Sequence, residues 1–187
     1  MDTILYPNWT KILNLETELR LTEFSLHTHF RHVANIVEDH ADTRQTVIRF
    51  EPVIDRGEWK KKSQWIYMLV IDGRIVKIGG TRTGLEGRCG SYLCGHHIPE
   101  RGGSRDCSKT NGYIYNTFDH YVRNGHKIEM WACQIPSVRV TVDVWGTEME
   151  LDPQVYTAYE TTALEAYKAE AGHYPALSDN SDPVHRR

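Results

Sequence analysis

One acidic side chain falls within the apolar and aromatic face of a helix predicted near the carboxyl end of the chain. At about 100° per residue, the residues that share this face are Tyr156, Tyr159, Glu160, Ala163, Leu164 and Tyr167. An unpaired carboxylate among aromatic rings would cost several kcal/mol, so we expect Glu160 to face an arginine, a lysine or a bound metal ion. A buried salt bridge without any chemistry is the alternative.

A second unusual pair lies on a predicted β-hairpin. Two β-rich segments flank Asp72-Gly73, a dipeptide that tolerates the positive φ angles of a tight turn. Tyr67 lies on the first segment and Lys77 on the second. Simple pairing around the turn places Met68 opposite Lys77, so the tips of Tyr67 and Lys77 meet only if a bulge or the turn shifts the register. Taken alone, such a pair is more often a surface feature.

The spacing of these residues resembles a known enzyme family. Trp65-Ile66-Tyr67, ten residues before Lys77-Ile78-Gly79, with Arg88 nine residues after that glycine, is similar to the N-terminal half of GIY-YIG nucleases. Tyr92 stands where many members have histidine, and Glu160 matches the metal-binding glutamate of a later helix. Tryptophan replaces the first glycine of the motif, and lysine replaces the second tyrosine. The lysine and Tyr92 together look like the variant in small type II restriction endonucleases of this family.

The resemblance implies hydrolysis of phosphodiester bonds in double-stranded DNA at a short site. Tyr67 would act as the general base, with its phenol pKa lowered by nearby Lys77. Arg88 would contact the scissile phosphate in a forked geometry, and Tyr92 would position water or phosphate. Glu160 would hold one Mg²⁺ or Mn²⁺ per active site. Asn180 is a further candidate, matching a late asparagine of the family, with a simple turn residue as its alternative.

Recognition of DNA is expected outside this centre, in a polar loop at residues 95–111. The side chains suited to phosphates and base edges there are Arg101, Arg105, Lys109 and Asn111, although any exposed loop carries such residues. Symmetric cutting of both strands requires two active sites, which predicts a homodimer. A restriction enzyme also implies a cognate DNA methyltransferase in the host. A repair or mobile-element nuclease and a non-catalytic DNA-binding module of the same fold are the alternatives.

Charge and cysteine content limit the other functions that the chain could have. The net charge of −3 over 187 residues argues against a protein that coats nucleic acid. Residues 56–88 nevertheless hold eight basic and three acidic residues, whereas residues 143–170 hold seven acidic and one basic. We expect a cytoplasmic protein without membrane spans and with reduced thiols. A zinc site is disfavoured because no CxxC pair occurs among its candidate ligands, Cys89, Cys94, His96, His97 and Cys107.

These elements predict an α+β fold in which a small antiparallel sheet is flanked by helices. Residues 61–187 form the predicted nuclease core, with an inserted β-hairpin after residue 137 and the inserted loop 95–111. Residues 1–60 are predicted as an N-terminal helical extension for DNA binding or dimerisation. That interpretation rests on an approximate helical spacing of Phe24, Leu26, Phe30, Val33, Ile36 and Val37.

Overall fold

A five-stranded antiparallel sheet forms the centre of the molecule. The computed structural model describes residues 9–40, 47–97 and 107–178. The strands lie in the order β2-β1-β5-β3-β4, and a separate two-stranded sheet pairs β6 with β7. In chain order the elements are β1 (Arg31–Glu38), β2 (Ile48–Pro52), α1 (Arg56–Lys60), β3 (Trp65–Ile71), β4 (Arg74–Thr81), α2 (Gly84–Leu93), α3 (Lys109–Arg123), β5 (Ile128–Gln134), β6 (Val140–Val144), β7 (Thr147–Leu151) and α4 (Tyr156–Ala171). The predicted α+β class is confirmed.

Helices cover both faces of this sheet. One core contains side chains of α2 and α3 packed on the face that Tyr67 and Leu69 share. The other core packs α4 and short N-terminal turns against Ile66 and Met68. Every residue of β3 is therefore buried, which explains its unbroken apolar run in place of an alternating one. Within the described ranges, no helix is long and apolar enough to cross a membrane.

The β3–β4 hairpin is confirmed. Its register contains the shift that is needed for Tyr67 and Lys77 to lie on the same side of the hairpin. Asp72 and Gly73 have φ angles of 47° and 77°, the positive pair that a tight two-residue turn needs. The register then slips by one residue beyond Val70, so Leu69 pairs with Lys77 and Tyr67 with Gly79. This slip places Lys77 on the same side of the hairpin as Tyr67.

The predicted N-terminal helical extension is wrong. Residues 27–29 form a short 3₁₀ turn, and residues 31–38 form β1, which pairs with both β2 and β5. The helical spacing misled because three of its residues, Val33, Ile36 and Val37, are β-branched and fit a strand between two neighbours. The first sixty residues thus supply two strands of the same sheet that carries the candidate site.

Candidate active site

Two phenols and a guanidinium form a compact hydrogen-bonded group between β3 and α2. Arg88 and Tyr92 lie four residues apart on α2, so both side chains reach the same patch of sheet. The Nε of Arg88 donates to the hydroxyl of Tyr67 at 2.7 Å, and its Nη2 donates to the hydroxyl of Tyr92 at 3.1 Å. The two hydroxyl oxygens are 2.5 Å apart. Each phenolic oxygen is therefore held by both of the other side chains.

Burial determines the protonation of this group. It raises the pKa of Tyr67 above the usual value, although Arg88 and the hydroxyl of Tyr92 act in the opposite direction. Burial and the adjacent Tyr67 raise the pKa of Tyr92 still further. Burial disfavours the charged form of Arg88, but the two phenols outweigh it and raise the pKa of the guanidinium. The expectation that Lys77 lowers the pKa of Tyr67 is not met: the pKa is raised, and the cation that opposes the rise is Arg88.

Two consecutive glycines of β4 make room for the site. A Cβ on Gly79 would lie 2.4 Å from the hydroxyl oxygen of Tyr67. A Cβ on Gly80 would lie 2.5 Å from the ring of Tyr156 and 3.0 Å from the Oε2 of Glu160. Because Gly79 and Gly80 have no side chains, the phenol of Tyr67 and the carboxylate of Glu160 can pack directly against the backbone of β4. The two groups approach it from opposite faces of the sheet.

Glu160 approaches the same edge of the sheet from α4. Its side chain is half-buried, and Ala163, Leu164 and Tyr167 continue the buried face of the helix. Burial raises the pKa of the Glu160 carboxyl, while Lys77, Arg88 and the backbone N–H of Gly80 lower it. The cationic neighbours expected for this carboxylate are therefore present, as Lys77 and Arg88.

Lys77 is fixed by a C-terminal segment that the sequence did not single out. Its Nζ donates to the carbonyl of Leu177 at 2.9 Å, and the N–H of Leu177 donates to the carbonyl of Val76 at 2.8 Å. The hydroxyl of Ser178 accepts from the N–H of Ile78 at 3.1 Å and donates to the carbonyl of the same residue at 3.1 Å. Because of these bonds, the buried ammonium is held at one place beside the sheet edge.

The residues present fit a hard divalent cation bound by one protein carboxylate. In the parts of the chain that the structure describes, no group of three or more His, Cys, Asp or Glu side chains could hold a metal ion. Mg²⁺ often takes only one or two carboxylates and fills its remaining positions with water and substrate phosphate oxygens. Glu160, a carboxylate whose charged form is disfavoured by burial, suits such a cation because the metal charge would compensate that cost.

The remaining sequence candidates are spread over other parts of the molecule. Arg101, Arg105 and Asn180 lie outside the described residues. Lys109 begins α3, and the amide of Asn111 points at the sulfur of Cys94 at 3.9 Å.

Among the candidate zinc ligands, Cys94 and Cys107 approach each other, but within the described residues no third ligand joins them to form a metal-binding group. Cys89 is buried against Met130, whereas the sulfur atoms of Cys94 and Cys107 are 3.5 Å apart. His96 bonds the carbonyl of Leu93 through its Nδ1.

Comparison with known proteins finds similarity of structure. No family model matches the sequence, and no curated protein matches it. The fold is similar to that of restriction endonuclease HPY188I in complex with product DNA, with a TM-score of 0.55, 21% identity and coverage of 87% of each chain. It is also similar to bacteriophage T4 EndoII, with a TM-score of 0.50, 13% identity and coverage of 79% of this chain and 94% of that one. At these identities the likeness shows a shared fold.

Proposed function

We propose that this protein is a metal-dependent endonuclease that hydrolyses phosphodiester bonds in double-stranded DNA. The observation that carries the proposal is the meeting of a Tyr67–Arg88–Tyr92 group with Glu160 at one edge of the sheet. A base, a fixed cation and a carboxylate suited to a metal are what this hydrolysis requires. The DNA bound to the similar restriction endonuclease supports DNA as the substrate.

Tyr67 is the proposed general base. Its phenolate would take a proton from the attacking water on its Oη. Before that transfer, the negative oxygen would accept hydrogen bonds from the Nε of Arg88 and the hydroxyl of Tyr92, which already lie 2.7 Å and 2.5 Å away. Tyr92 therefore acts through Tyr67 as a positioning residue, because its hydroxyl stabilises and orients the phenolate.

Arg88 is the proposed phosphate ligand. A guanidinium has five N–H donors, and the two tyrosines take one from Nε and one from Nη2. The remaining donors can bind the non-bridging oxygens of the scissile phosphate. Since the pKa of Arg88 is raised, the guanidinium keeps its positive charge.

Glu160 is the proposed metal ligand, and Lys77 keeps its carboxylate charged. A bound Mg²⁺ or Mn²⁺ would supply positive charge for the leaving oxygen and the phosphate. Before the metal binds, burial favours protonation of Glu160, and Lys77 and Arg88 oppose that effect in part. We assign Lys77 this role at Glu160 in place of the tuning of Tyr67.

The finer proposal is a type II restriction enzyme, and plasmid cleavage with Mg²⁺ tests it. Wild type should yield discrete fragments from plasmid DNA, and Glu160→Gln, which keeps the shape but not the charge, should yield none. Nicks or a smear would favour a repair or mobile-element nuclease. Binding of DNA without cleavage under Mg²⁺ or Mn²⁺ would indicate a non-catalytic DNA-binding module. Discrete fragments from both proteins would remove Glu160 from the mechanism.

A homodimer belongs to this proposal, and the β6–β7 hairpin is the surface that suits it. All but one of the residues of these two strands are exposed, and Trp145 at the turn is 100% exposed. Residues 138–152 hold four carboxylates and one arginine, a balance that disfavours contact with DNA. The β6–β7 hairpin is exposed, apolar and negatively charged, which favours a protein partner. If that partner is a second copy of the chain related by a twofold axis, the assembly contains two active sites. A cognate methyltransferase in the host follows from the restriction proposal.

A further inference from the structure

An open cleft lies where three neighbouring strands of the main sheet end. It encloses about 740 Å³ beside the start of β3, the ends of β4 and β5, and the segment that leads into α4. Gln64 forms part of its wall. The side-chain amide of Gln64 donates to the carbonyl of Pro153 at 2.9 Å and accepts from the N–H of Tyr156 at 3.0 Å. The cleft is therefore shaped by the same bonds that seat the helix carrying Glu160.

Three cations line this cleft. Lys61, Lys62 and Arg82 are exposed, and none of them forms an ion pair with another residue of the described ranges. Neighbouring Lys60, which does not line the cleft, instead approaches Glu86 at 3.7 Å. Among the described lining residues, Asp152 is the one carboxylate, so the wall is positive overall. A concave, positive and largely polar wall favours a polyanion over an apolar small molecule.

Two exposed amides complete the lining. The side chains of Gln134 and Gln154 face the cleft and form no hydrogen bond with the residues that the structure describes. Their amides offer one acceptor and two donors each. A glutamine amide matches the paired donor and acceptor that adenine presents in the major groove. Cations bind phosphates, and amides can read base edges. The cleft therefore carries both kinds of group that DNA recognition needs.

The cleft adjoins the candidate active site. Arg82 follows Gly80 by two residues and lies one residue beyond the end of β4, so at most about 7 Å of chain separates the two. One strand of B-DNA carries a phosphate per about 3.4 Å of helix axis, so this separation spans about two nucleotides. A duplex whose scissile phosphate lies at Arg88 would therefore continue directly past the cleft.

We propose that this cleft holds the DNA next to the scissile bond, with Lys61, Lys62 and Arg82 on phosphates and Gln134 and Gln154 on base edges. The inference rests on the proposed function and deepens it by locating the recognition surface on the core. The sequence predicts DNA recognition by the loop at residues 95–111 and by the N-terminal segment. The cleft adds a further recognition surface, on the core. The cations give affinity for any sequence, and the two amides give preference for particular base pairs.

Salt-dependent binding tests the phosphate contacts. The full-length chain carrying Glu160→Gln is titrated with a labelled 30-base-pair duplex over a series of salt concentrations. Adding Lys61→Ala and Lys62→Ala together should weaken binding to every duplex and reduce the slope of log K against log salt by about 1.8, or about 0.9 per lost contact. Arg82→Ala should reduce it by about 0.9. Arg49→Ala, on the opposite edge of the sheet, is the matched control and should leave the slope unchanged.

The outcomes separate this inference from the proposed function. If the chain binds and cuts DNA but the cleft variants keep the parent slope and affinity, the cleft inference is overturned and the nuclease proposal stands. An equal loss of affinity and slope in the Arg49→Ala control would also overturn the cleft inference, because the effect would then reflect the net charge of the protein. Failure of the parent chain to bind any duplex would overturn both.

Sequencing of cleaved ends tests the two amides. Wild-type ends define the preferred site, and Gln134→Ala and Gln154→Ala should each cut with relaxed preference at one base pair of that site. A lost bidentate contact corresponds to about tenfold to hundredfold less discrimination there. Cleavage rates at the preferred site should fall less than discrimination does. An unchanged consensus for both variants would remove the amides from recognition.

Discussion

Gly79→Ala should damage the candidate site without removing any functional group from it. Gly79 pairs with Tyr67 across the hairpin, and the phenol ring lies directly over its Cα. The new Cβ would lie 2.4 Å from the hydroxyl oxygen and 2.6 Å from the Cζ of Tyr67. Carbon atoms prefer a separation of about 3.5–4.0 Å, so the ring would have to move by about 1 Å.

The size of the effect follows from this displacement. Tyr67 is fully buried and held by Arg88 and Tyr92, so the ring cannot swing into solvent. Overpacking of this kind costs about 1–3 kcal/mol of unfolding free energy. Alanine also adds about 0.5–1 kcal/mol to the free energy of unfolding, because it restricts the unfolded chain more than glycine does. We therefore expect a net loss of about 0–2.5 kcal/mol, too small to unfold a domain with ordinary stability of about 5–15 kcal/mol.

Catalysis should suffer far more than stability. A displacement of about 1 Å in a reacting group costs on the order of 10²-fold in rate. Single-turnover cleavage of plasmid DNA with Mg²⁺ measures that loss, anisotropy with a labelled duplex measures binding, and urea denaturation measures stability. Binding should stay within about threefold of wild type, since about 0.6 kcal/mol corresponds to that factor.

Gly90→Ala is the matched control on α2. Its Cβ would meet nothing within 4 Å, and the residue is exposed between Arg88 and Tyr92. Alanine at an interior helix position should stabilise the protein by about 0.8–1.0 kcal/mol and leave the cleavage rate unchanged. If Gly79→Ala cleaves DNA at the wild-type rate, Tyr67 does not need its present position, and its role as the base is refuted.

Four further perturbations address separate parts of the proposal. Tyr67→Phe should lower the cleavage rate by about 10²–10⁴. Tyr92→Phe should instead move the ascending limb that reports deprotonation of Tyr67 to higher pH, because it removes a hydrogen bond that lowers the pKa of Tyr67; identical profiles would contradict this role. Lys77→Met should raise the pKa of Glu160 further and shift the acid limb of a pH–rate profile upward. An unmoved acid limb would leave Lys77 a structural residue. Trp145→Ser should shift the protein from dimer to monomer in analytical ultracentrifugation, and a wild-type dimer would place the interface elsewhere.

Local sequence signals were sufficient for the hairpin and for α4. Asp72-Gly73 specifies its turn through φ angles that few other pairs adopt, so the hairpin could be predicted from two residues. Gly172, with a φ angle of 83°, ends α4 in the same local way. β1 was missed because it lies between two partners, β2 and β5, and β5 is distant in sequence. The spacing of the apolar residues in this segment also suits a helix. It is the pairing with β2 and β5 that makes the segment a strand.

The candidate site was predictable in its residues but not in its contacts. Spacing identified Tyr67, Arg88 and Glu160 as candidates, but it did not reveal that Arg88 would bond both phenols. Nor did the pattern reveal that Lys77 lies near enough to Glu160 to lower the pKa of that carboxyl, because the two residues lie on elements far apart in the chain. The role of Leu177 came from a segment one hundred residues away from Lys77. Such contacts depend on packing across the sheet, which no local pattern encodes.

The segment at Leu177 and Ser178 also protects the molecule against association through its sheet. β4 is an edge strand, and an edge strand presents unpaired N–H and C=O groups to which a strand of another chain can add. Leu177 occupies the carbonyl of Val76, and the hydroxyl of Ser178 occupies both polar groups of Ile78. A short stretch of chain thus closes the edge of the sheet beside the candidate site. A chain cut before Leu177 would lose this cover, and we expect it to aggregate through β4 even where its core remains folded.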